Sequence, residues 1–147
     1  MKNLFYLLII VVFIISCNQT QNKQVQAPKP KDGVFIHIKE GYKNPHKVLM
    51  PMKMATLMAD DKAVLIYMDI DAVNLLVKGA KDLTYKGFES FQTYMNQLLA
   101  KNVGIYACPG CLNVADIKKD QLWDGIQIAQ KDKFFNFTKG RIITLDY

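Results

Sequence analysis

The chain has 147 residues, half of them hydrophobic and 22% charged, with a formal net charge of +6 and three cysteines. That is about the size of one domain, long enough to enclose a single apolar core. The charge does not describe a nucleic-acid track: residues 33–147 hold 15 basic and 12 acidic groups, interleaved as on a solvated surface, and no nucleic-acid partner is expected.

The first element is the uncharged run LFYLLIIVVFII at residues 4–15, which ends at Ser16 and Cys17. A spanning helix needs about 20 apolar residues, and these 12 fit the apolar region of a secretory signal, with residues 1–16 as the signal peptide. The order Ile14, Ile15, Ser16, Cys17 resembles a bacterial lipobox, in which the cysteine is acylated and becomes the first mature residue. Cys17 is then an attachment point to a membrane of the cell envelope. Asn18 stands where an inner-membrane retention signal would have Asp, which favours the outer membrane, with the domain facing the periplasm or the exterior. Residues 17–32 form the lipidated cysteine and its tether: NQTQNKQVQAPKPK contains one large aliphatic side chain, Val25, and cannot offset the entropy of its own ordering.

From residue 33 to 147, β-branched runs alternate with longer amphipathic segments, as expected of one α/β domain with a mainly parallel sheet. VFIHI (34–38) is the first predicted strand. AVLIYMDI (63–70) is nearly all apolar, as a central parallel strand covered on both faces would be. VGIYA (103–107) is also expected to be central, and GIQIA (125–129) and RIITLDY (141–147) complete about five strands. Residues 44–60 predict a helix capped by Asn44 with Pro45 in its first turn. Pro51 predicts a kink or a late restart, because an interior proline removes a backbone donor and clashes with the preceding turn. The methionines at 50, 52, 54 and 58 read as core filler. A second helix is expected over 88–102, with Phe88, Phe91, Met95 and Leu98 on one face. Shorter helices are expected over 71–79 and 131–138.

ACPGC (107–111) places Cys108 and Cys111 directly after a predicted strand. In open α/β sheets, sites gather beyond the carboxyl ends of the strands. Three loops there bring together Cys108, Cys111, His46, Asp69 and Asp71. A thiol between a strand and a helix start faces unpaired backbone N–H groups, which favour the thiolate, and two such thiols can close a disulfide or pass a sulfur between them. The same spacing also suits a tight turn with two small side chains. A structural zinc site would need further ligands beyond His37 and His46, so no metal is expected. No cofactor is expected either. His37, inside the first strand with Phe35 and Lys39 on its face, reads as structural. A thioredoxin fold would need a proline after the motif, and the last of the five prolines is Pro109.

The strand ending in VGIYACPGC, the FIHI strand and the helix entry NPHKVLMPMKMA together resemble the DsrE/DsrF-like family over residues 33–147. The resemblance implies a flavodoxin-like sheet of about five mainly parallel strands with helices on both faces, and assembly into homo- or hetero-oligomers. In members that relay sulfur, a cysteine at the position of Cys108 accepts a persulfide and passes it on, and paired-thiol relatives have a second cysteine where Cys111 stands. A sulfur donor or acceptor protein is the partner this implies. The chain departs from the Ala-Arg-Gly turn found after the cysteine in many members, reading LNVADIKKD instead. Two functional readings follow: thiol, disulfide or persulfide chemistry on the CPGC pair, or a non-catalytic binding or assembly module on the same fold.

The lipobox generates the first prediction. Labelled fatty acid should enter the wild-type chain and fail to enter Cys17→Ser; equal labelling of both would overturn the anchoring assignment.

Overall fold

In the computed structural model, which describes residues 28–147, five strands form one sheet: β1 (Gly33–Ile38), β2 (Ala63–Met68), β3 (Gly104–Ala107), β4 (Gln127–Ile128) and β5 (Ile142–Asp146). The expected signal segment and Cys17 lie outside the described residues. The strand order is β4-β3-β2-β1-β5, and all pairings are parallel. The chain therefore steps across the sheet from β1 to β4 and then returns to lay β5 against the free side of β1. The central strand is β2, the most continuously apolar of the five; β3, expected to be central too, lies one step out, between β2 and the two-residue β4.

Strand alternation divides the side chains between two unlike faces. Val34, Ile36 and Ile38 of β1 point to the same side as Val64, Ile66 and Met68 of β2 and Ile105 and Ala107 of β3. They bury against α1 (Pro45–Met58), through Val48, Leu49 and Met52, and against α2 (Phe91–Ala100), through Phe91, Met95 and Leu98. On the opposite side, Phe35, Tyr67 and Tyr106 present rings from three neighbouring strands. Phe134 meets them edge-on, with centroids 5.2, 4.8 and 6.0 Å away. Phe134 belongs to α4 (Lys131–Phe134), the only helix between β4 and β5. The segment expected to be helical over 131–138 thus supplies one helical turn, and this aromatic face is thinly covered: Phe135 is 58% and Ile142 40% exposed.

The helices depart from expectation at four places. α1 runs unbroken through Pro51, whose ring is buried, and that burial offsets the backbone donor it withholds from Lys47 in the preceding turn. Asn44 makes no side-chain cap; its amide donates to Glu40 Oε2 at 2.6 Å. Of the four methionines, only Met52 is fully buried, and Met50 is exposed. The segment expected to be a helix over 71–79 is a 3-10 helix, Ile70–Leu76. α2 is capped by Ser90, whose side chain accepts from Thr93 N, and it ends where Asn102 adopts φ +57°, a left-handed position that asparagine tolerates.

The last strand is fastened at both ends. Arg141 Nη2 donates to Asp32 Oδ2 at 2.7 Å, so the residue expected to end the tether is bound to the start of β5. Tyr147 N donates to His37 O at 3.1 Å. Gly33 is required beside this return: a Cβ there would lie 2.5 Å from Thr138 Cγ2 and 2.9 Å from the Phe137 ring.

Leu98, fully buried between α2 and the sheet, tests the packing of the helical face. Leu98→Ala should lower the unfolding free energy by about 3 kcal/mol in urea titration, the cost of lost transfer energy plus a residual cavity; a loss near zero would show that this face is not the core.

Candidate functional site: a thiol pair at the carboxyl edge of the sheet

The site is positioned by one backbone hydrogen bond. Cys108 N donates to Met68 O at 3.0 Å, which extends the β2–β3 pairing one residue beyond the end of β3. Since Ala107 points into the helical core, alternation turns Cys108 toward the opposite face, with Tyr106, Tyr67 and Asp69. Cys108 then becomes the N-cap of α3 (Pro109–Val114), its Sγ accepting from Cys111 N at 3.4 Å. Pro109 at the first helical position is preset for the turn. Leu112, 4% exposed, anchors the short helix to the core.

Cys111 is held from the other side. Its Sγ accepts from Ile70 N at 3.1 Å, and Ile70 has φ +47°. A β-branched residue in this left-handed region is strained by about 1–3 kcal/mol. The strain is over-determined by neighbours: Asp69 N donates to Ile38 O at 3.2 Å and Asp71 N to Lys39 O at 3.1 Å, tying the end of β2 to the end of β1. The carboxyl ends of the three inner strands thus meet at the two sulfurs.

The two thiols are driven in opposite directions. Burial works against a Cys108 thiolate, but the neighbouring Tyr67 hydroxyl and the N–H groups of Cys111 and Gly110 outweigh it, so Cys108 is more acidic than an ordinary thiol. For Cys111, burial leads, Ile70 N–H only partly opposes it, and the neighbouring Cys108 and Asp69 charges add to it, so its thiol holds its proton to higher pH. Tyr67 is pushed well above the ordinary phenol value by burial and by Cys108. Both cysteines are half-buried and free, with no disulfide between them.

Behind Tyr67 stands a residue the sequence reading set aside as structural. The His37 ring stacks on Tyr67 at 5.4 Å. Its Nε2 lies 2.9 Å from Asp69 Oδ2 and its Nδ1 3.5 Å from Asp146 Oδ1. The Nε2 contact has ion-pair distance without hydrogen-bond alignment, and Asp69 Oδ1 is buried without a partner. Lys39 Nζ, 2.9 Å from Asp146 Oδ1, completes the group. The two carboxylates approach different ring nitrogens and do not converge on a shared metal position. Among the described residues no three His, Cys, Asp or Glu side chains do.

The sequence had placed His46, Asp69 and Asp71 beside the thiols. Asp69 lies near Cys111 and holds His37. Asp71 lines a cavity of about 300 Å³ next to Cys111, with Ile70, Asn74, Val114 and Ala115. His46 is engaged elsewhere, its ring stacked on Tyr85 at 5.5 Å and tilted against Phe88 at 5.3 Å. Tyr67, His37 and Ile70 were not expected. The signal for the first two was strand alternation, since residues 35, 37, 67, 69, 106 and 108 share one face once the register is known.

A five-stranded parallel sheet with a thiol pair where β3 leaves its carboxyl edge defines an α/β protein of flavodoxin-like fold. The model of the DsrE/DsrF-like family matches residues 32–144, and the chain belongs to that family. Solved structures share the fold, two of them as follows. The ychN protein from E. coli is 18% identical, with 78% of this chain and 99% of that one covered and a TM-score of 0.62. MTH1491 from Methanobacterium thermoautotrophicum, a protein of unknown function, has the same identity and coverage with a TM-score of 0.51. No curated protein matches the chain.

Tyr67→Phe removes the hydroxyl while keeping the ring that His37 and Phe134 pack on. In a Cys111→Ser background, the pH profile of Cys108 alkylation should move to higher pH, and the rate at pH 7 should fall roughly threefold to tenfold, the effect of losing one hydrogen bond to a charged acceptor. An unchanged profile would remove Tyr67 from the site.

Proposed function

We propose that the CPGC pair carries thiol–disulfide or persulfide chemistry, on a domain tethered to a bacterial envelope membrane through a lipid on Cys17. The observation that supports this reading best is the division of labour between the sulfurs: Cys108 is the more acidic thiol, the one that caps α3 and faces the Tyr67 hydroxyl, while Cys111 keeps its proton one helical turn away.

The roles follow from that difference. The Cys108 thiolate attacks the outer sulfur of a donor persulfide. The donor's S–S bond breaks, the donor leaves as a thiolate, and the sulfur stays on Cys108 as a persulfide. Cys111, after losing its proton to solvent, attacks that outer sulfur and takes it over, returning Cys108 to the thiolate. Attack on the inner sulfur instead expels hydrosulfide and closes a Cys108–Cys111 disulfide. With a disulfide in place of a persulfide donor, the same pair performs ordinary exchange. An envelope location is one in which disulfides persist. Tyr67 holds the first thiolate, and Asp69, paired with His37, keeps negative charge near Cys111 so that the second thiol ionises last.

A second reading is favoured by a separate observation. Phe135 and Ile142 on the thinly covered sheet face are 58% and 40% exposed. That apolar surface suits a homo- or hetero-oligomeric contact, or a sulfur donor or acceptor protein, and would serve a non-catalytic assembly module equally well.

Alkylation of the reduced single-thiol variants separates the readings. Cys108 in Cys111→Ser should react roughly tenfold faster at pH 7 than Cys111 in Cys108→Ser, after allowance for the lower intrinsic nucleophilicity of the more acidic thiol. On exposure to a small persulfide, mass spectrometry should find one added sulfur on Cys108. Faster reaction at Cys111 would reverse the ranking. Thiols that react only in denaturant would leave the assembly module.

A further inference from the structure

Ile70 and Val114 line one cavity with Cys111 and have 58% and 88% of their surfaces in water. Both line the cavity of about 300 Å³ beside that thiol, a volume at the small end of the range for small-molecule sites. Ile70 is the more telling of the two. Its left-handed backbone, φ +47°, would be adopted more readily by Gly or Asn, and an exposed aliphatic side chain contributes little to folding. The same conformation that strains the residue directs its N–H to Cys111 Sγ and holds its side chain at the mouth of the cavity. Asp71 and Asn74 supply the polar part of the lining, and Asp69 adds negative charge near the sulfur. Among the described residues the cavity walls contain no Lys or Arg.

From this arrangement we propose that the cavity is a subsite for the apolar, uncharged substituent of a small acceptor thiol, whose thiolate attacks the outer sulfur that Cys111 has taken over, leaves as a persulfide and returns Cys111 to the thiolate. The proposal rests on the thiol chemistry proposed above and adds the class of substrate. Ile70, Val114 and Ala115 shelter the organic group, the Ile70 N–H faces the reacting sulfur, and the carboxylates at residues 69 and 71 repel anionic substituents. Substrates bearing carboxylates or sulfonates are therefore discriminated against at Cys111, whereas Cys108, outside this cavity, does not share the preference.

Three alkyl methanethiosulfonates that differ only in their tails test it: n-propyl, sulfonatoethyl and trimethylammonioethyl. In each, the Cys111 thiolate attacks the alkyl-bearing sulfur, a mixed disulfide forms, and methanesulfinate leaves; the thiol proton has gone to solvent. Rates are read on the full-length Cys108→Ser chain, fully reduced, by mass spectrometry of the peptide carrying residue 111. Each is divided by the rate on N-acetylcysteine amide, so the thiolate fraction cancels in the ratio between reagents. The propyl reagent should exceed the sulfonatoethyl reagent roughly tenfold, from partial burial of the chain and repulsion of the sulfonate. The trimethylammonioethyl reagent, attracted by the same carboxylates, should likewise exceed the sulfonatoethyl reagent.

Val114→Glu, at a position too exposed to disturb the core, should lower the propyl rate and widen the penalty on the sulfonate. Asp71→Asn should relieve that penalty. A propyl-to-sulfonatoethyl ratio equal to that of the free thiol, unmoved by either substitution, would overturn the subsite while leaving the thiol chemistry standing. Failure of all three reagents on the folded chain, with reaction restored in denaturant, would overturn both.

Discussion

The hydrogen bond from Cys108 N to Met68 O is the constraint on which the site depends. It continues the parallel ladder one residue past β3, at the point where the chain must leave the sheet to start α3. Because β2 is fully buried at Leu65, Ile66 and Met68, the carbonyl it offers is fixed by the core. The sulfur that follows inherits that rigidity. A loop of free-standing CPGC sequence could place two thiols near each other; only a loop continuous with a buried strand places them against Tyr67 on one side and Ile70 N–H on the other.

The unlike faces of the sheet explain why the chemistry gathers where it does. The helical face is closed by α1, α2 and α3, so a group pointing there is sealed from solvent. The aromatic face is covered by one helical turn and its phenylalanines. Residues at the carboxyl end of that face, His37, Tyr67, Asp69 and Cys108, are shielded enough to feel one another and open enough to be reached. The thin cover follows from chain length: the return from β4 to β5 has to cross three strands with 13 residues between them, and most are spent on crossing.

Within the pair, small differences in backbone donors outweigh the chemical identity of the two thiols. Cys108 receives the N–H groups of the turn it caps as well as the phenol, and these overcome burial. Cys111 receives a single strained N–H and faces negative charge. The backbone strain at Ile70 and the buried, partnerless Asp69 Oδ1 are costs the core must carry, and they fall at the residues where the loops meet. Such concentration of unfavourable local terms beside reactive groups is the usual sign of a site and not of a fold element.

The sequence by itself determined the parallel α/β class, all five strands, the long crossover helix and the position of the thiols at the end of β3. These rest on local patterns of apolar residues, which the core rewards in any register. It did not determine that α1 passes through Pro51, since that depends on how much the proline ring gains by burial in the folded chain. It misplaced His37 and His46, because a histidine's role depends on which strand lies beside it: pairing with Tyr67 brings His37 into the network, and stacking on Tyr85 takes His46 out. Ile70 carries no local signal at all. Its left-handed backbone is imposed by hydrogen bonds that the N–H groups of Asp71 and Ala72 donate to Lys39 O and by a sulfur 41 positions along the chain; only the folded arrangement of three loops could decide that.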